Sequence, residues 1–192
     1  MTRPLLILAA ILAAGAAQAH TGEGVAGGLI SGFTHPLFGW DHVVAMVAVG
    51  LWGAVLGAPA LWLLPVVFPL VMAFGGALGV TGVPLPAVEA GIALSGVVLG
   101  LLVVFAVPAP LWVAAVIVGA FAVFHGHAHG TELPDAASPY AYAVGFVVAT
   151  GLLHLAGIAF GAFADRPWGG YAVRAAGLAI AAVGAAFLTG VA

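Results

Sequence analysis

Two short stretches hold most of the side chains able to bind a cation or move a proton. "THPLFGWDHVVAM", residues 34–46, carries His35, Asp41, His42 and Met46, and "FHGHAHGTE", residues 124–132, carries His125, His127, His129 and Glu132. His35 and His42 are seven residues apart, so one continuous helix would place both rings on one side, with Asp41 adjoining. Met46 follows His42 at i+4, one turn on. The expectation is a strip of imidazole, then carboxylate with imidazole, then thioether, starting near a helix N-terminus where Pro36 is tolerated. In the second stretch His125 and His129 stand at i,i+4, and Glu132 is three residues further. These three share a helical face; His127 joins them only if the helix unwinds, as Gly126 and Gly130 would allow.

Imidazole nitrogen combined with carboxylate oxygen suits borderline divalent ions such as nickel, cobalt and zinc. Magnesium favours oxygen ligands and retained water. The chain has no cysteine, so thiolate sites, disulfides and thiol catalysis are excluded. Without a thiolate the hold on an ion should suit transit more than storage. Bland alternatives stand beside these readings: Asp41 as a helix cap, and the second stretch as a solvated or loosely metal-buffering tract. His154, deep in a later apolar run, is either an inner ligand or proton acceptor, or a partner in a helix–helix hydrogen bond. Glu89 reads as a first-turn residue favoured by the helix dipole, Ser95 as a hydrogen bond between helices, and Met72 as packing.

The elements that must position these residues are apolar. Of 192 residues, 65% are hydrophobic and only 5% charged, with a mean hydropathy of +1.29. A soluble domain is about half apolar and about a quarter charged. The formal net charge is −3, so no basic footprint for nucleic acid is present. Residues 1–19 have a basic start at Arg3, an apolar core and an Ala17-Gln18-Ala19 end, the pattern of a cleaved secretory signal. Cleavage there would expose His20 as a new terminus, whose amino group and imidazole can chelate a metal together.

The remainder, 20–192, reads as one all-α polytopic transmembrane bundle. Six spans are expected, at about 38–57, 61–80, 88–107, 111–124 or longer, 140–163 and 170–191, separated by Gly- and Pro-marked connectors. Helices satisfy their own backbone groups in lipid, which makes them the physical default. If the mature N-terminus lies outside, the C-terminus does too. Arg166 and Arg174 then lie inside, in agreement with the positive-inside rule, and both histidine stretches lie at the outer face. Paired glycines such as Gly75 with Gly79 and Gly157 with Gly161 should let helices approach closely. Pro65 and Pro69 should kink the second span.

The two histidine stretches, read with the signal segment and six spans, resemble the HupE/UreJ family of nickel/cobalt permeases. The stretches that carry the likeness are "HPLFGWDHVVAMVAVGLW" and "FHGHAHGTE". The resemblance implies secondary import of nickel or cobalt across a bacterial inner membrane, supplying hydrogenase or urease. It implies metal-handling roles for His35, Asp41, His42, His125, His127, His129 and Glu132, with His20, Met46 and His154 as additional candidates for a metal or proton pathway. The ion is then cargo, with no permanent cofactor. No G-x-x-x-x-G-K-[ST] phosphate loop appears in the sequence, so no ATPase action is expected of this chain. Two other classes compete. An intramembrane metal-dependent hydrolase could hold zinc with these residues, although H-E-x-x-H is missing. A haem-binding membrane protein could use His42 and His154 as axial ligands.

Overall fold

The computed structural model describes residues 24–132 and 138–191. The expected signal segment, its cleavage point and His20 lie outside the described residues. Among the described residues seven α-helices follow one another: α1 (Gly24–Phe38), α2 (Trp40–Leu56), α3 (Ala60–Val80), α4 (Val88–Val104), α5 (Leu111–Thr131), α6 (Pro139–Gly161) and α7 (Gly169–Leu188). A short 3-10 turn, Ala162–Asp165, precedes α7. The ends follow local chemistry. The Ser138 hydroxyl caps α6 by accepting from the Ala141 amide, with Pro139 in the first turn. Gly57, at φ 74°, closes α2 and returns its amide to the Gly53 and Ala54 carbonyls.

Among the described residues four segments are long and apolar enough to cross a membrane: Ala60–Val80, Leu111–Thr131, Pro139–Asp165 and Gly169–Leu188. The bent pair Ala26–Phe38 and Trp40–Leu56 makes a fifth if counted as one span, and Val88–Val104 is a shorter apolar helix. The first expected span, 38–57, coincides with helix α2, but the expectation of one helical strip from His35 to Met46 does not hold. The chain does not run as one helix from His35 to Met46; it breaks at Gly39 and turns by 80°. Gly39 is extended, at φ −85° and ψ 104°, so the helical hydrogen-bond ladder is interrupted there. Pro36 sits in the last turn of α1 rather than at a helix start.

The histidine-rich stretch stays helical to Thr131. Gly126 and Gly130 do not unwind it. They face α3, where an added Cβ would collide with the carbonyls of Met72 and Gly76. Reciprocally, a Cβ on Gly75 or Gly79 would strike the carbonyls of Val123 or His127. Glycine on both helices thus brings two backbones into contact, and the order of these contacts makes α3 and α5 parallel. The same device joins α2 to α6, where Gly50 meets the His154 carbonyl and Gly157 meets that of Val47. In α4 and α7 the order reverses, with Gly96 against Gly184 and Gly100 against Gly177. From α2 to α7 the helices therefore alternate in direction.

Helix α2 is the hub, packing against α1, α3, α4, α6 and α7. Large apolar side chains point outward: Leu70 and Phe74 on α3, Val116 on α5, Val148 and Leu152 on α6, and Leu178 on α7 are all exposed. A soluble protein would bury such residues; lipid solvates them. Exposed Trp40 and Tyr140 ring one end of the bundle, and exposed Trp62, Trp112, Trp168 and Tyr171 ring the other. Such aromatic belts mark the two membrane–water boundaries. Inside this apolar jacket, five of the six histidines among the described residues are buried, and His35 is partly so.

Candidate metal centre

The bend at Gly39 has a chemical consequence. It turns the end of α1 back over the start of α2, so that His35 and His42 converge from two helices, with ring centroids 6.3 Å apart. The i,i+4 pair on α5 enters from the other side. His129 lies 4.8 Å from His35 and 4.5 Å from His42, and His125 lies 4.8 Å from His42, all between ring centroids. Four imidazoles from three helices thus form one contiguous cluster at the Trp40/Tyr140 end. His42, His125 and His129 are buried, whereas His35 is partly open. Glu132 closes the mouth, its Oε2 3.9 Å from His35 Nε2. One ligand atom each from His35, His129 and Glu132 lie within 4.8 Å of one another.

The hydrogen bonds around the cluster determine which lone pairs are available. His42 Nδ1–H donates to Asp41 Oδ1 at 2.9 Å, leaving Nε2 buried without a hydrogen-bond partner among the described residues. The Ser95 hydroxyl donates its single hydrogen to the Ile92 carbonyl at 2.6 Å. The 2.9 Å contact of Ser95 Oγ with His125 Nε2 is then a bond donated by His125, which leaves Nδ1 as the acceptor. His125 Nδ1 is likewise buried and unpartnered among the described residues, and so are both nitrogens of His129. A buried polar atom without a partner costs about 1–3 kcal/mol. A cation held between the rings would satisfy the acceptor nitrogens, and Asp41 and Ser95 are the outer groups that set ligand tautomer and orientation.

His127 does not turn into the cluster. It points to the α3–α4 connector and donates from Nε2 to the Val83 carbonyl at 2.7 Å. Met46 is fully buried one turn beyond His42 on α2, and His154 is fully buried on α6. Phe146 packs on His129 at 4.1 Å between centroids, and Tyr142 faces His35 at 6.2 Å; both give the cluster an aromatic wall.

Two residues set aside on sequence grounds border this site. Ser95 does join two helices, yet its partner is a cluster histidine. Glu89 shares with Asp41 a cavity of about 280 Å³ between α2, α4 and α7. An acidic residue at a helix start, in a chain with only six, was the available signal for Glu89. Nothing local could have paired Ser95 with His125, thirty residues away.

The family profile of the HupE / UreJ protein matches residues 8–187. The chain belongs to the HupE/UreJ family. Protein HupE of Rhizobium leguminosarum bv. viciae is 47% identical to it over 183 residues, covering 95% of each chain. No solved structure matches significantly. The match to the HupE/UreJ profile spans every helix that contributes to the cluster, so the arrangement belongs to the family region and not to an appended segment.

Proposed function

We propose that this HupE/UreJ chain is a secondary permease that imports Ni²⁺ or Co²⁺ across a bacterial inner membrane. The observation that carries the reading is the convergence of His35, His42, His125 and His129 at one end of an apolar bundle, with acceptor nitrogens left unpartnered among the described residues. Partly open His35 and exposed Glu132 receive the hydrated ion, and buried His42, His125 and His129 replace part of its water. Nitrogen and carboxylate ligands match the borderline ions. The six helices α2–α7 act as the spans, following a cleaved 1–19 segment. The cluster end faces the periplasm, and Arg166 and Arg174, at the opposite end, face the cytoplasm. Both termini of the mature chain are then periplasmic, and the imported metal serves hydrogenase or urease maturation.

Passage is gradient-driven or facilitated, in keeping with a sequence that carries no G-x-x-x-x-G-K-[ST] phosphate loop. The test is uptake of radiolabelled nickel and cobalt into proteoliposomes holding the purified chain. Wild type should accumulate at least one of the two ions over protein-free vesicles, and Asp41→Ala should not. Equal uptake by wild type and Asp41→Ala would refute the route.

A further inference from the structure

His154 is fully buried on α6, and neither ring nitrogen has a hydrogen-bond partner among the described residues. Thr150, one turn nearer the cluster end on the same face, is also fully buried, and its hydroxyl is unpartnered among them. Two such groups in adjacent turns of one helix are costly in an apolar core unless something else binds them. Their depth follows from helix geometry. Gly50 on α2 abuts the backbone of His154, and Gly50 is eight residues beyond His42, or about 12 Å along the axis. That is close to half the roughly 30 Å hydrocarbon thickness of a bilayer.

One side chain bridges the two levels. The Phe68 ring is fully buried, with its centroid 5.6 Å from that of His125 and 5.5 Å from that of His154. It therefore stands between the innermost ring of the outer cluster and the deeper histidine. Phe68 lies between Pro65 and Pro69 within α3. Each proline lacks the amide that would bond the carbonyl four residues earlier, so the Leu61 and Pro65 carbonyls, in the two turns before this ring, lose their helical partners.

We propose that His154 and Thr150 form an inner transit station for a partly dehydrated divalent cation, separated from the outer cluster by the Phe68 ring. The inference rests on the permease reading and gives it a second step. One imidazole and one hydroxyl hold an ion weakly, with retained water completing its shell. Weak, successive sites are what conduction requires, since an ion must leave as readily as it enters. The outer cluster captures and selects; the inner station lowers the cost of the apolar middle.

The test combines two measurements on the full chain: Co²⁺ binding to the purified protein at equilibrium, and initial rates of radiolabelled Ni²⁺ and Co²⁺ uptake into proteoliposomes. His154→Ala and the near-isosteric Thr150→Val should each lower uptake by about tenfold or more, at least the loss usual for an outer partner of a metal ligand. Both should leave the strong outer binding within about twofold of wild type, since the outer ligands are untouched. Thr150→Ser, which keeps the hydroxyl, should restore uptake. Wild-type rates in both His154→Ala and Thr150→Val, with the proteins folded, would overturn the inner station and leave the permease reading intact. Binding or uptake missing in the wild type would overturn the permease reading and, with it, the station.

Discussion

Replacing Ser95 with alanine offers a sharp test of how the cluster is pre-set. The hydroxyl lies fully buried on α4, accepts the His125 Nε2–H at 2.9 Å and donates to the Ile92 carbonyl at 2.6 Å. Its removal frees His125 to adopt either tautomer, and only the one protonated on Nε2 keeps the Nδ1 lone pair available. The lost hydrogen bond contributes about 1 kcal/mol, and losing an outer partner of a metal-binding histidine usually weakens binding about 10- to 100-fold. Each tenfold corresponds to about 1.4 kcal/mol, so the low end of that range, about tenfold, is the expected loss. The assay is equilibrium titration of the purified protein with Co²⁺, beside thermal unfolding of the same sample without metal. Because the Ser95 hydroxyl bonds only His125 and Ile92 among the described residues, the apparent Kd should rise while the fold persists. An unchanged Kd in a folded Ser95→Ala protein would refute the claim that this hydroxyl directs the His125 lone pair into the cluster.

Three further changes separate ligands from scaffold. His127→Ala removes the bond to the Val83 carbonyl and should cost about 1 kcal/mol of stability, read as a lower unfolding temperature, with Co²⁺ affinity within about twofold of wild type because the ring points away from the cluster. Gly126→Val drives a branched side chain into the Met72 carbonyl; overpacking of this kind costs about 1–3 kcal/mol or more, and the yield of monodisperse protein should fall accordingly. Glu132→Gln removes a negative charge beside His35 at the exposed mouth. It should slow cation association and flatten the salt dependence of that rate, which stopped-flow mixing at low and high ionic strength would read.

Most helices were legible in advance because lipid makes each one declare itself. The expected spans at 61–80 and 170–191 fall within a few residues of α3 and α7, since a long apolar run between Gly and Pro breakers has few other solutions in a membrane. The histidines were legible for the complementary reason: a polar residue in such a chain stands out. Their grouping was less so. Placing His35 and His42 on one helix followed from spacing alone, and the break at Gly39 overrode it. Reading Gly126 and Gly130 as helix breakers used the correct property of glycine in the wrong context. Against another backbone, the missing Cβ serves contact rather than flexibility.

By itself the sequence determined the class of the protein, an apolar helical bundle, and the chemistry it can offer, imidazole and carboxylate with no thiolate. Those follow from composition and periodicity, which each helix carries locally. Only the tertiary structure decided which imidazoles meet. The 80° turn at Gly39 brings His35 over His42, and glycine contacts hold α5 in the register that directs His125 and His129 inward and His127 out to Val83. Ser95 and Phe68 acquire their places in the same way, from helices 30 and 57 residues distant in sequence from His125. A helix repeats every 3.6 residues and sets which side chains share its own face. Which faces oppose one another depends on where two backbones can touch, and that is a property of the assembled bundle.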